Sequence, residues 1–194
     1  MNLPNKLTVS RFILTAIFLV AMFAHSPKAT GFNDTLALIL FCAAGLTDYF
    51  DGKIARARNL ITNFGILMDP LADKILICSA FIAFVGRGAV PAWAVIIIVS
   101  RELAITGLRL LAASKNVVLA AEGYGKHKTI SQIVAVIAML VMDAYDEWGH
   151  WAEVVLKPWV PGFTTAALWV TVILTASSGL LYLWRNRRIY LDDV

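Results

Sequence analysis

Cysteine and histidine are nearly missing from this chain of 194 residues, which has two of the first and three of the second. Cys42 and Cys78 stand alone inside apolar runs, so they make neither a disulfide framework nor a zinc site and are expected to behave as small hydrophobes. Charge is scarce too: 15% of residues are charged and 59% hydrophobic, with a mean hydropathy of +0.74. That balance excludes a soluble domain of ordinary composition and predicts an integral membrane protein. The basic excess, 17 Lys and Arg against 13 Asp and Glu, sits at the ends of apolar segments. No basic face interleaved with aromatics accompanies it, which excludes nucleic acid as a partner. Internal repeats, low-complexity tracts and a GxxxG stripe are absent. The first apolar segment follows Lys6 and Arg11 as a signal peptide would, but Phe23 and His25 stand where small cleavage-site residues belong. That segment is expected to be retained.

What the chain has in quantity is apolar length. Its runs predict an all-α fold with six transmembrane helices in one membrane domain covering 1–194, with no room for a separate soluble domain. The spans are read at about 8–24, 36–49, 63/69–85, 92–111, 129–142 and 164–184. Between them lie a polar break with Pro27, Gly31 and Asn33, a loop over 53–62, a tight turn at Gly86, Arg87, Gly88 and Pro91, and a polar loop over 112–128. An acidic loop follows with Asp143, Asp146, Glu147 and Glu153, where Trp148, Trp151 and Trp159 are expected as interfacial anchors. The third span has two readings. Asp69 before Pro70 resembles an N-cap with proline at the first helical position, and a helix that starts earlier and passes through Pro70 is equally consistent.

Four aspartates edge two of these spans in the stretch D-Y-F-D-G-K-I-A-R-A-R-N-L-I-T-N-F-G-I-L-M-D-P-L-A-D, residues 48–73. Unpaired charge beside apolar helices is costly, so such a cluster implies a ligand. Asp48 and Asp51 are spaced i, i+3 and Asp69 and Asp73 i, i+4. In helices, each pair shares a face. An all-carboxylate set suits a hard cation, Mg2+, Mn2+ or Ca2+, rather than zinc. Gly52, Ala55 and Gly65 between the pairs allow close approach, and Arg56 is a planar donor fork matched to phosphate. Together they point to a diphosphate ligand.

The order D-x-x-D-G-x-x-A-R-x8-G-x3-D-x3-D, met at all eight positions, resembles the signature of the CDP-alcohol phosphatidyltransferases. The resemblance implies a catalytic membrane domain that binds CDP-diacylglycerol, uses two Mg2+ or Mn2+ ions, releases CMP and forms a homodimer. Carried onto this sequence, it makes Asp48, Asp51, Asp69 and Asp73 metal ligands, with Asp73 also the general base. Gly52, Ala55, Arg56 and Gly65 would line the CDP. Thr8 and Arg11 have two readings: Arg11 is expected to snorkel toward headgroups, or the two reach the phosphate or metal region.

Arg101 and Glu102 interrupt the fourth span, where charge is tolerated only against protein or in a wet cavity. Adjacent residues point apart on a helix, so mutual pairing of these two is not the favoured reading. Arg101, Arg109, Lys126 and Lys128 supply four cationic groups near the mouth of the site, more than a neutral or zwitterionic alcohol requires and suited to a phosphate. The segments R-E-L-A-I-T-G-L-R and G-Y-G-K-H-K-T are similar to those of bacterial family members that make phosphatidylglycerol phosphate, which implies glycerol 3-phosphate as acceptor. The alternatives are an inositol-phosphate or other acceptor within the family and, outside it, a divalent-cation transporter. Placing both termini and the 49–63 and 112–128 segments on one side leaves only Lys28, Arg87 and Lys157 for the other. By the positive-inside rule the site and termini are therefore cytoplasmic, in a bacterial plasma membrane as the resemblance implies.

Overall fold

The computed structural model describes the backbone of residues 3–24, 32–58, 63–115, 117 and 124–191, with side chains throughout except at 3–7, 48–58, 63–67, 69, 70, 73, 124–126 and 188. Every regular element in it is helical. Six long helices, each of 21 to 26 residues, run α1 (Leu3–Phe23), α2 (Asn33–Arg58), α3 (Asn63–Gly86), α4 (Ala92–Ser114), α5 (Tyr124–Ala144) and α7 (Val160–Arg185). A 3-10 turn (Tyr145–Trp148) and α6 (His150–Leu156) fill the link from α5 to α7, and α8 (Arg188–Leu191) follows. Among the described residues, His127–Trp148 and Val160–Arg185 are long and apolar enough to cross a bilayer, and Thr8–Phe23, Asn33–Thr47 and Lys74–Gly86 are shorter apolar stretches.

Helix α1 packs on α2 and α3, α5 on α2, α3 and α7, and α4 on α3 and α7. Their shared core is Phe18, Met22, Phe41, Phe81, Phe84, Ile98, Val136, Met139 and Leu140, with buried alanines such as Ala37, Ala80 and Ala135 at the helix contacts. Phe18 and Phe41 meet at 5.7 Å between ring centroids. Outward-facing positions are apolar as well: Val20, Ile39, Leu103, Leu110, Ile173 and Leu180 are all exposed. Such an exterior suits hydrocarbon rather than water.

Several boundaries differ from expectation. The segment expected as a loop over 53–62 is helical as far as Arg58, because K-I-A-R-A-R is rich in helix formers and Gly52 alone costs only about 1 kcal/mol. Helix α3 begins at Asn63, so Asp69 is not an N-cap and Pro70 lies inside the helix, where it removes one backbone donor. The start of α5 at Tyr124 draws Lys126 and Lys128 into its first two turns. The acidic loop is largely the 3-10 turn and α6, separated at Gly149 by a φ of 85°, a left-handed value that glycine adopts without strain. Between α3 and α4 the expected turn is present: Gly88 at φ 72° closes α3, with Ala89 N–H donating to Phe84 O at 2.9 Å and Gly88 N–H to Val85 O at 3.0 Å.

That turn carries part of a polar clasp. Arg87 Nη1 lies 2.9 Å from Asp34 Oδ1 and 3.2 Å from Asp143 Oδ2. The Glu147 carboxylate accepts the backbone N–H of Asp34 at 3.0 Å and of Thr35 at 2.9 Å. It thereby caps the N-terminus of α2 from another element, where a negative charge also complements the helix dipole. Trp148 does not simply anchor at an interface: its Nε1–H donates to Thr35 Oγ1 at 2.8 Å. Trp151 and Trp159 are exposed as expected.

Candidate functional site

At the opposite end of the bundle, α2 finishes and α3 begins. The last turns of α2 carry Asp48, Asp51, Gly52, Ala55 and Arg56, and the first turns of α3 carry Gly65, Asp69 and Asp73. The backbone is helical at all eight positions and the two helices pack together. Each aspartate pair therefore shares a helix face, as the spacing predicts. The side chains of these eight residues, and of Lys126, lie outside the described residues. A donor set made only of carboxylates, on adjacent helix ends, fits a hard divalent cation by its chemistry.

Beside these turns the interior of the bundle is polar. Thr8 and Arg11 on α1 are buried, Arg11 to 1% exposure, and Thr15 Oγ1 donates to Arg11 O at 2.8 Å. Arg11 thus does not snorkel to headgroups: its face of α1 is packed within a protein interior formed with α2 and α3, the helices that carry the aspartates. Lys74, next in sequence to Asp73, donates to Thr106 Oγ1 on α4, and Thr106 donates to the Glu102 carbonyl at 2.7 Å. Lys128 of α5 donates to Glu102 Oε1, and the two form a buried ion pair.

Of the four cations expected at the acceptor site, Arg101 and Lys128 are brought together through Glu102. Arg101 Nη1 sits 3.2 Å from Glu102 Oε1, so these neighbours pair with each other, contrary to the favoured reading. The long arginine stem curls its head back to a residue that its Cβ points away from. Arg109 is not part of that group; it is exposed, its Nε–H donates to Tyr182 OH at 3.4 Å, and its guanidinium lies 5.9 Å from the Tyr182 ring centroid. His127, in the first turn of α5, is exposed. Sequence reasoning missed Lys74, Thr106, Gln132 and Gly179. A lysine directly after Asp73 in an apolar run was a usable signal for the first; nothing local singles out the other three.

A family model described as CDP-alcohol phosphatidyltransferase matches residues 1–176. The chain belongs to the CDP-alcohol phosphatidyltransferase family. The CDP-diacylglycerol–glycerol-3-phosphate 3-phosphatidyltransferase of Bacillus subtilis (strain 168) is 42% identical over 193 residues, covering 95% of each chain. A protein of the same description from Rickettsia bellii is 32% identical over 181 residues, covering 93% of each chain. A probable phosphatidylglycerophosphate synthase of Mycobacterium tuberculosis is 41% identical over 138 residues, 70% of this chain and 64% of that one. Within this CDP-alcohol phosphatidyltransferase, the signature lies at the junction of α2 and α3, and half-buried Arg101 of α4 and buried Lys128 of α5 lie on helices that pack directly against α3.

Proposed function

We propose that this chain transfers the phosphatidyl group of CDP-diacylglycerol to sn-glycerol 3-phosphate, giving phosphatidylglycerol phosphate and CMP. The observation that carries the reading is the adjacency, at one end of the bundle, of the aspartate-bearing turns of α2 and α3 to half-buried Arg101 of α4 and buried Lys128 of α5; Lys74, next to Asp73, reaches Thr106 one turn from Glu102. A lipid diphosphate and a phosphorylated acceptor need those two neighbourhoods side by side. The full-length relatives are named for the same transfer.

Asp48, Asp51, Asp69 and Asp73 would hold two divalent cations, Mg2+ or Mn2+, whose chemistry here is to offset the diphosphate charge as CMP departs. Gly52, Ala55 and Gly65 let the CDP approach the backbone, and Arg56 pairs with its phosphates. The acceptor's phosphate is held by Arg101 and Lys128, with Lys126 and, from its place against Tyr182, Arg109 as the further cations around it. Its free hydroxyl oxygen bonds to the lipid-side phosphorus while Asp73 takes the hydroxyl proton. The bond from that phosphorus to the CMP oxygen breaks, and CMP leaves with the electron pair. Thr8 and Arg11 face the same region from α1. Six spans, a cytoplasmic site and cytoplasmic termini complete the reading, supported by the six long helices and the Lys and Arg distribution. A homodimer is supported by the resemblance alone, and cross-linking in native membranes tests it.

The deciding experiment is CMP release by the purified protein from CDP-diacylglycerol with Mg2+, offering glycerol 3-phosphate, inositol 3-phosphate, inositol and serine separately. Release with glycerol 3-phosphate alone is expected. Release only with another acceptor would keep the chemistry and refute the acceptor, while no release at all would return the cation-transport alternative.

A further inference from the structure

Three side chains from two helices converge on one buried oxygen. Glu102 is 6% exposed on α4, and its Oε1 receives Lys128 Nζ from α5, Arg101 Nη1 at 3.2 Å and Gln132 Nε2 at 3.5 Å. Lys74 joins the group through Thr106. Two cationic heads on long stems repel each other and, left alone, move apart toward water; a carboxylate between them fixes both at one place. Arg101 is confined on its other side as well, because a Cβ at Gly179 of α7 would stand 2.7 Å from Arg101 Cγ. The arginine stem therefore occupies the space that glycine's missing side chain leaves. Its Nε is buried with no hydrogen-bond partner among the described residues, so the guanidinium keeps an uncommitted donor after Glu102 is served.

Charge separates this group from a mere seal between helices. Among the described residues, Arg101 and Lys128 meet the carboxylate of Glu102 and Lys74 joins them through Thr106 and the Glu102 carbonyl, so cations outnumber carboxylates in the group. At the other end of the bundle, Arg87 meets both Asp34 and Asp143, so in that contact the carboxylates are in excess and no cation is left over for an anion. A group in which cations are in excess suits the anionic oxygens of a phosphate monoester.

We propose that Glu102, seconded by Gly179, is the positioning residue of the acceptor site: it presets Arg101 and Lys128 as one receptor for the acceptor's phosphate, so that the acceptor hydroxyl is aimed at the lipid-side phosphorus. This rests on the glycerol 3-phosphate reading above, and wild-type turnover with that acceptor is measured first; its failure would take down both. With turnover in hand, Glu102→Gln keeps the shape and loses the charge. Its kcat/KM for glycerol 3-phosphate is expected to fall by roughly tenfold or more, mainly in kcat, while the KM for CDP-diacylglycerol stays within about twofold. In a Lys128→Met background the same change is expected to add little, since the two act as a unit. Gly179→Ala, which leaves the Glu102–Lys128 pair in place, should give a smaller loss of the same kind. An unchanged kcat/KM for the acceptor in Glu102→Gln overturns the proposal, as does a lower acceptor KM at unchanged kcat, which would mean that the carboxylate only weakens the field. Equal losses toward both substrates with a lowered thermal midpoint would make Glu102 structural. If Glu102→Gln does not fold, Gly179→Ala decides, and normal acceptor kinetics in it refute the positioning role.

Discussion

Where α3 turns into α4, Arg87 lies between Asp34 and Asp143, and Glu147 caps the first turn of α2. Where α2 passes to α3, Arg101 and Lys128 share one carboxylate and Lys74 is tied to the same turn through Thr106, beside turns that carry four aspartates. Both ends set charge against an apolar bundle, and the difference lies in how it is balanced. At the clasp each carboxylate has a partner within the chain, Arg87 for Asp34 and Asp143 and the backbone N–H groups of α2 for Glu147, so these charges hold helices in place. Cations left in excess, beside turns that carry aspartates, are arranged for an anion that is not part of the chain. A buried ion pair by itself is therefore weak grounds for assigning a site, and a gathering of cations beyond their carboxylate partners is stronger.

The sharpest break of that comparison comes from the aspartates. Asp48→Asn, Asp51→Asn or Asp69→Asn should each lower metal-dependent CMP release by roughly 100-fold or more, with membrane insertion and thermal midpoint little changed; near-normal turnover would remove that residue from the ligand set. Asp73→Asn should stop turnover to a similar degree, yet retain binding of CDP-diacylglycerol in an equilibrium assay, and a mutant that turns over well would cost Asp73 its role as base. At the clasp the pattern should invert. Arg87→Ala leaves two carboxylates without their cation and should lower stability by about 3 kcal/mol, read as a lower unfolding midpoint in detergent, with kcat/KM of the folded enzyme unchanged; a selective kinetic defect would make the clasp part of the site. The smallest effect belongs to Arg109→Ala, which should raise the acceptor's KM by about tenfold and that of CDP-diacylglycerol much less. The reverse pattern would move Arg109, which lies against Tyr182, out of the acceptor's path.

Much of the candidate site was legible in the sequence because its logic is local. Asp48 with Asp51, and Asp69 with Asp73, need only a helix to share a face, and α2 and α3 are helical at all four. Local rules failed where long side chains or distant partners decide. Arg101 bends back to its own neighbour, and Arg11, expected at headgroups, is buried among α1, α2 and α3.

Composition and helical spacing by themselves determined an all-helical apolar bundle, the G-R-G turn before α4 and the aspartate pairs, since each depends on residues within about two helical turns. Only the tertiary structure decided that Glu102 would gather Lys128, 26 positions away, that Gly179 would seat Arg101, and that Glu147 would cap a helix begun more than 110 residues earlier. Those contacts depend on which helices lie side by side, and α4 meets α7, and α2 meets α5, through packing of faces that no local spacing specifies.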